Sequence, residues 1–226
     1  MYKYLLFDLD NTLLDFDAAE ERSLKKTFNK FNIEASDNNI NNFKEINKKY
    51  WEKFERKEIS KIDLVVFRFR DFLNQFDDLK KLDPSVVNNY YLNSLPDMAE
   101  EMPYANKVIN ELNKKYKIAI ITNGVKNTQL KRIENSSINN LIDKVYISEV
   151  VGAQKPEKGF FDYAFKDLNI INKSDVLIIG DSITADIQGG INYGLDTVWF
   201  NYKNKTTTLK PKYIIHDLRD LIKILI

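Results

Sequence analysis

The sequence predicts an α/β fold in which a Rossmann-like parallel sheet is interrupted by an inserted helical bundle. Three observations carry this prediction. From residue 96 onward, short aliphatic and β-branched runs alternate with helical patterns, which implies right-handed crossovers and a sheet covered on both faces. A run of the same kind, Tyr2 to Phe7, stands alone at the N-terminus. Between the two, from about Asp17 to Leu95, the periodicity is helical and glycine is absent. The first strand must join the later sheet, so the helical stretch is an insertion. The expected division is a core of residues 1–16 and 96–226 and a helical domain of residues 17–95.

Each element has a local reason. Tyr2 to Phe7 is β-rich and runs straight into acidic residues, as a buried strand ending at a sheet edge does. In the bundle, apolar residues recur at three- and four-residue spacing through Leu24, Phe28 and Phe31, then Phe43, Ile46 and Tyr50, then Leu64, Phe67 and Leu73. Asp83-Pro84 opens a further helix, with Asp as N-cap and Pro in the first turn. About four helices result. Beyond Pro96, a helix containing Val108 to Leu112 precedes a strand at Lys117 to Ile121. A helix near Val125 to Glu134 leads to a strand at Lys144 to Ile147. A helix over about Glu157 to Leu168 leads to a strand at Val176 to Ile179. A helix near Thr184 to Tyr193 leads to a strand at Asp196 to Phe200. Tyr213 to Ile215 is a last short strand before a terminal helix.

Composition excludes much. The chain has 226 residues, 43% hydrophobic and 30% charged, so it is long enough to bury a core and too apolar for disorder. Thirty-four basic residues against 33 acidic ones leave a net charge of +1, without the global field that nucleic-acid binding leans on. No cysteine is present, which rules out disulfide scaffolds, zinc fingers and thiolate nucleophiles. The one histidine, His216, sits at a helix start beside Asp217 and reads as a capping or surface residue. No apolar run approaches the ~20 residues of a membrane span, and the early Asp8 argues against a signal peptide. The expectation is a cytoplasmic protein with no membrane and no polynucleotide partner.

Open parallel sheets place their sites beyond the carboxyl ends of the strands, so the residues following each strand matter most. Asp8-Leu9-Asp10-Asn11-Thr12 follows the first, Thr122-Asn123-Gly124 the second, Lys155-Pro156 lies some residues after the third, and Gly180-Asp181-Ser182 with Asp186 follows the fourth. Taken singly, each has an ordinary explanation as a cap or a turn. Together they bring carboxylates, one lysine and a hydroxyl-amide turn to one edge, a constellation for an anion plus a hard divalent cation. With no His cluster or Cys, oxygen ligands are the only ones available. Gly189-Gly190 read as a close helix contact. The aromatics Trp51, Phe54, Phe67, Phe69 and Phe72 read as bundle core.

D-x-D-x-T, T-N-G, K-P and G-D-S-x-x-x-D, in this order and each after a strand, resemble the four motifs of the haloacid dehalogenase-like (HAD) hydrolase superfamily, from one end of the chain to the other. The resemblance implies the HAD fold with a helical cap domain as the insertion. It also implies a Mg²⁺-dependent phosphomonoester hydrolase with Mg²⁺ as cofactor. Asp8 would be the nucleophile, forming an aspartyl-phosphate, and Asp10 the acid and then base. Lys155 would neutralise charge. Thr122, with Asn123 and Gly124 through their backbone N–H groups, would join Lys155 in binding phosphate. Asp8, the Asp10 carbonyl and Asp181 would hold the metal, and Asp186 a metal-bound water or Lys155. S-E-V-V-G-A-Q-K-P and G-D-S-I-T-A-D-I-Q-G-G-I-N-Y-G-L-D-T-V-W-F-N resemble the pyrimidine 5′-nucleotidase branch acting on non-standard nucleotides. The expected partner is thus a small phosphorylated metabolite, a nucleoside monophosphate, met by a monomer or homodimer. The cap would cover the site and read the rest of the substrate. Arg68 in V-F-R-F-R resembles a cap-helix segment of that branch and is expected to contact the substrate. A sugar-phosphate phosphatase or mutase, or a non-catalytic binding protein of the same fold, are the alternatives. Asp10 argues against a dehalogenase, since a halide needs no proton.

Overall fold

The computed structural model describes residues 2–97 and 99–226. The chain forms two compact units, Met1–Phe16 with Ala99–Ile226, and Asp17–Met98.

The first unit is built on six parallel strands: β1 (Tyr4–Phe7), β2 (Lys117–Thr122), β3 (Lys144–Ile147), β4 (Val176–Gly180), β5 (Asp196–Phe200) and β6 (Tyr213–Ile215), in the order β3-β2-β1-β4-β5-β6. The order runs outward from β1 in both directions, and such a reversal opens a crevice at the carboxyl ends of the central strands. The register places Phe7 beside Ile120 on one side and Ile179 on the other. Asp8 is therefore the first residue past the edge of the sheet.

The strands read as near-continuous apolar runs because both faces are covered. Leu5, Phe7, Ile118, Ile120, Leu177 and Ile179 enter one core with Val108, Ile109 and Leu112 of α5 (Ala105–Leu112) and Ile133 of α6 (Lys126–Glu134). Leu6, Ala119, Ile121 and Ile178 enter the other with Phe160, Phe161 and Ala164 of α8 (Lys158–Asp167) and with Tyr193. Each fully buried aliphatic or aromatic side chain contributes roughly 1.5–3 kcal/mol. A single turn, α7 (Ser148–Val151), follows β3, and α10 (Asp220–Leu225) ends the chain.

The segment expected as one helix from Thr184 begins instead with a π-turn, Ile183–Gln188, and narrows to α9 only at Gly189–Tyr193. The Ile187 N–H reaches the Ser182 carbonyl at 3.1 Å, a five-residue step. This wide turn lets the Asp186 carboxylate fold back onto the Ser182 N–H at 3.1 Å. Single π-turns of this kind collect at functional sites. Gly189 and Gly190 do allow close packing, since a Cβ on Gly190 would fall 2.5 Å from Thr197.

The second unit holds four helices: α1 (Phe16–Lys30, beginning at the junction), α2 (Asp37–Glu55), α3 (Lys61–Leu73) and α4 (Pro84–Ser94). Ser36, Ser60 and Asp83 cap the last three, each accepting a first-turn N–H. Phe28, Phe43, Phe69 and Phe72 are fully buried together, with Phe28 stacked on Phe72 at 5.1 Å between ring centres. Among the described residues no helix is long and apolar enough to cross a membrane.

Candidate active site

The four polar sets converge at the carboxyl end of β1, β2 and β4. After β1 the chain turns sharply, with the N–H groups of Leu13 and Leu14 both returning to the Leu9 carbonyl and Asn11 in the left-handed region at φ 59°. This turn places Asp8 and Asp10 on one side and lets the Thr12 hydroxyl donate to Asp8 Oδ2 at 3.3 Å.

Lys155 is the centre of the site. Its ammonium is buried and donates to Asp8 Oδ1 at 2.7 Å, Asp186 Oδ1 at 2.6 Å and the Ile121 carbonyl at 2.8 Å. All three N–H bonds are thus engaged. Burial alone would lower its pKa, but Asp186 and Asp8 outweigh burial and raise it, so Lys155 is a fixed positive charge. One ligand oxygen from each of Asp8, Asp181 and Asp186 lies within 4.8 Å of the others. Burial holds the Asp8 carboxyl well above the usual carboxylate range; Lys155 opposes this, and Asp186, Asp181 and Asp10 add to it. Asp181 is pushed up to about 7 by burial and by Asp186. Three carboxylates around one ammonium leave an excess of negative charge in a confined space. That donor set, all hard oxygen, fits a divalent cation of the Mg²⁺ kind.

Glycine makes two of these contacts possible. A Cβ on Gly180 would fall 2.2 Å from Asp186 Oδ2, so the glycine of G-D-S clears room for that carboxylate. Gly124 does the same for Gln129, whose amide nitrogen would meet a Cβ there at 2.2 Å.

The expected residues do not all have the expected surroundings. Thr122 is buried at the end of β2, and its hydroxyl oxygen accepts from Gln129 Nε2 at 2.9 Å and from the Gly124 N–H at 3.1 Å. With both lone pairs engaged, the hydroxyl's remaining capacity is donation. The Asn123 carboxamide is committed elsewhere: it donates to the Lys155 carbonyl at 2.8 Å and accepts the Lys155 N–H at 2.9 Å. It clamps the lysine loop as a paired strand would. The Gly124 N–H, expected on phosphate, is bonded to Thr122.

Arg68 requires a correction. Expected to contact the substrate, it is instead 2% exposed inside the helical unit. Its guanidinium donates to Asn47 Oδ1 at 2.9 Å and Asn88 Oδ1 at 2.8 Å and lies over the Tyr91 ring. Two helices, α2 and α4, supply these partners, and the guanidinium is buried between them. Arg70, two residues on, is the exposed one and pairs with Asp71.

Sequence reasoning missed Gln129 and Arg132 on α6. Both are buried, and both bond to Asp10. Their spacing of three residues puts them on one helix face, directly after the T-N-G turn, which is the signal that could have found them.

The sequence profile of the haloacid dehalogenase-like hydrolases matches residues 5–200. The chain is 35% identical to the HAD-hydrolase YfnB of Bacillus subtilis over 99% of its own length and 95% of YfnB. It is 34% identical to the pyrimidine 5′-nucleotidase PynA of Streptococcus pneumoniae, covering 98% and 94% of the two chains. It is 29% identical to the pyrimidine 5′-nucleotidase YjjG of Escherichia coli, covering 99% and 98%. The crystal structure of magnesium-bound YfnB, in which interdomain movement was seen, superimposes with a TM-score of 0.94 over 99% of this chain and 98% of that one. Motifs, fold and relatives agree: the chain belongs to the haloacid dehalogenase-like hydrolase family, as one of its phosphatase-type enzymes.

Proposed function

We propose that this enzyme hydrolyses nucleoside 5′-monophosphates of the pyrimidine class, including non-standard ones, by way of an aspartyl-phosphate on Asp8. The observation that carries the chemistry is the Lys155 ammonium, bonded at once to Asp8 and Asp186 at the carboxyl end of the sheet. A carboxylate nucleophile is repelled by a phosphate dianion, and a buried, permanently charged ammonium against that carboxylate offsets the repulsion. The Asp8 carboxylate attacks phosphorus as the P–O bond to the leaving group breaks. Asp10 gives its proton to the departing alkoxide, then removes one from the water that attacks the acyl phosphate, which returns Asp8 as carboxylate. Thr122 donates its hydroxyl hydrogen to a phosphoryl oxygen. Asp8, Asp181 and Asp186, with the Asp10 carbonyl, would hold Mg²⁺, which when bound screens the phosphoryl charge.

The nucleotide preference is supported by the two relatives named as pyrimidine 5′-nucleotidases, matched over nearly the whole chain. The test is phosphate release in Mg²⁺ from a panel holding deoxy-UMP, TMP, 5-halogenated deoxy-UMP, purine nucleotides and sugar phosphates. The expected result is kcat/KM for a pyrimidine nucleotide at least about tenfold above any sugar phosphate, a gap of about 1.4 kcal/mol in transition-state binding. Isomerisation of a sugar phosphate without release would overturn the hydrolytic reading. Asp8→Asn should retain the fold and lose nearly all turnover; activity above a few per cent would rule out Asp8 as nucleophile.

A further inference from the structure

We propose that Gln129 and Arg132 are positioning residues that hold the Asp10 carboxylate in place for its two proton transfers. This rests on the reading above that Asp10 is the acid–base group. The two oxygens of Asp10 are taken by two different side chains: Oδ2 accepts Gln129 Nε2 at 2.6 Å, and Oδ1 accepts Arg132 Nη1. Two donors on two oxygens fix the rotation of the carboxylate about its own bond, and each oxygen keeps a lone pair for the transferred proton.

The Gln129 amide cannot serve in the flipped orientation. Its nitrogen donates to Asp10 and to Thr122 Oγ1, while its oxygen accepts Arg132 Nη1 at 3.1 Å. A flip would set oxygen against the Asp10 carboxylate and nitrogen against a cation. The same side chain thereby ties the residue after β1 that moves protons to the residue after β2 that meets phosphate. Gly124 is an independent sign of the arrangement, since any side chain there would expel the Gln129 amide.

Arg132 bears a cost that its position must offset. It is 1% exposed, and its Nε and Nη2 have no hydrogen-bond partner. Burying polar N–H groups unbonded is unfavourable. A surface rotamer would reach water instead. The guanidinium is kept inward by its ion pair with Asp10 and by the Phe16 ring, 5.4 Å from its centre. Neither residue meets the reacting atoms; Arg132 acts through Asp10, and Gln129 through Asp10 and Thr122.

The experiment compares a 5′-nucleotide, whose alkoxide needs a proton to leave, with p-nitrophenyl phosphate, whose phenolate does not. Both substrates need the base for the second step. Gln129→Leu and Arg132→Met are expected to lower kcat on the nucleotide about 10²–10³-fold, the range of general acid–base catalysis, with KM changed less than about threefold. On p-nitrophenyl phosphate they should release one equivalent of p-nitrophenolate in a burst, followed by slow turnover as the aspartyl-phosphate waits for its base. Asp10→Asn should behave alike, and adding Arg132→Met to it should cause no further loss. Arg132→Lys should recover part of the rate. Equal loss on both substrates without a burst, or a further loss in the Asp10→Asn background, would overturn the proposal. If Arg132→Met does not fold, Gln129→Leu carries the same comparison. If Asp10→Asn itself gives no burst, the acid–base reading fails and takes this one with it. A burst with Asp10→Asn alone overturns only the positioning role.

Discussion

Two buried polar clusters, one in each unit, each surround a single cation, and their charge balance separates them. In the helical unit Arg68 faces Asn47, Asn88 and, through Asn47, the Glu20 carboxylate, which also accepts from Tyr91 at 3.4 Å. One cation, one carboxylate and neutral amides leave no excess of formal charge. In the sheet unit Lys155 faces Asp8 and Asp186 with Asp181 beside them, so negative charge is in excess. A balanced buried cluster holds its own unit together, whereas an unbalanced one is the donor set that a divalent cation would complete.

This contrast can be broken most directly at Asp181. Asp181→Ala removes one of three crowded carboxylates, so in the absence of metal it should leave the thermal midpoint unchanged or raise it. The same change should weaken Mg²⁺ activation and lower kcat at fixed Mg²⁺ by about 100-fold or more, as loss of a charge-stabilising group does. Mg²⁺ titration of activity, read beside thermal unfolding in chelator, decides it. A fall in stability with Mg²⁺ dependence intact would make the two clusters alike.

Arg68 should respond in the opposite sense. Arg68→Leu strands two buried amide oxygens and removes the positive charge acting on Glu20, and leaving a buried charge uncompensated costs about 3–5 kcal/mol. For a chain of this size the midpoint should fall on the order of 10 °C. Scanning calorimetry checks this, and a change in KM alone, with the midpoint unmoved, would reinstate Arg68 as a substrate contact.

The smallest effect concerns pH. Burial raises the Glu20 carboxyl from 4.5 to about 7, against the pull of Arg68, the Asn47 amide and Lys44 and with a push from Asp17. Between those values the folded chain keeps a proton that the unfolded chain has lost. The associated stability is complete below about pH 4.5 and is lost as pH rises towards 7, by up to about 1.4 kcal/mol per unit. Glu20→Gln should flatten that slope in chemical denaturation across pH 5–8, and an unchanged slope would show that Glu20 titrates normally.

These clusters also show what a sequence can disclose. The strands and the polar sets after them were legible because strand runs are short, apolar and punctuated, and because parallel topology dictates where their ends meet. Asp8, Asp181, Asp186 and Lys155 come together for that reason. Arg68 was not legible: its partners lie on other helices, and nothing local distinguishes a buried arginine from a solvated one. The role of the Asn123 side chain lay beyond the same limit, since its amide is matched to the backbone of Lys155, a loop away. Gln129 and Arg132 resemble the exposed face of any helix until Asp10, more than a hundred residues earlier, is set against them.

The position of β1 has a consequence in time. It is the first strand synthesised and the middle one of the sheet, with Tyr4 paired to Lys117 on one side and Val176 on the other. At roughly 5–20 residues per second, Gly180 follows Tyr4 off the ribosome by about 10–35 seconds. Until β2 follows, after about 6–24 seconds at the same rate, Leu5, Leu6 and Phe7, destined for full burial, have neither neighbour, and until β4 follows they have only one. Contacts of such long sequence separation form slowly, so the strand that carries the nucleophile waits for partners more than a hundred residues downstream.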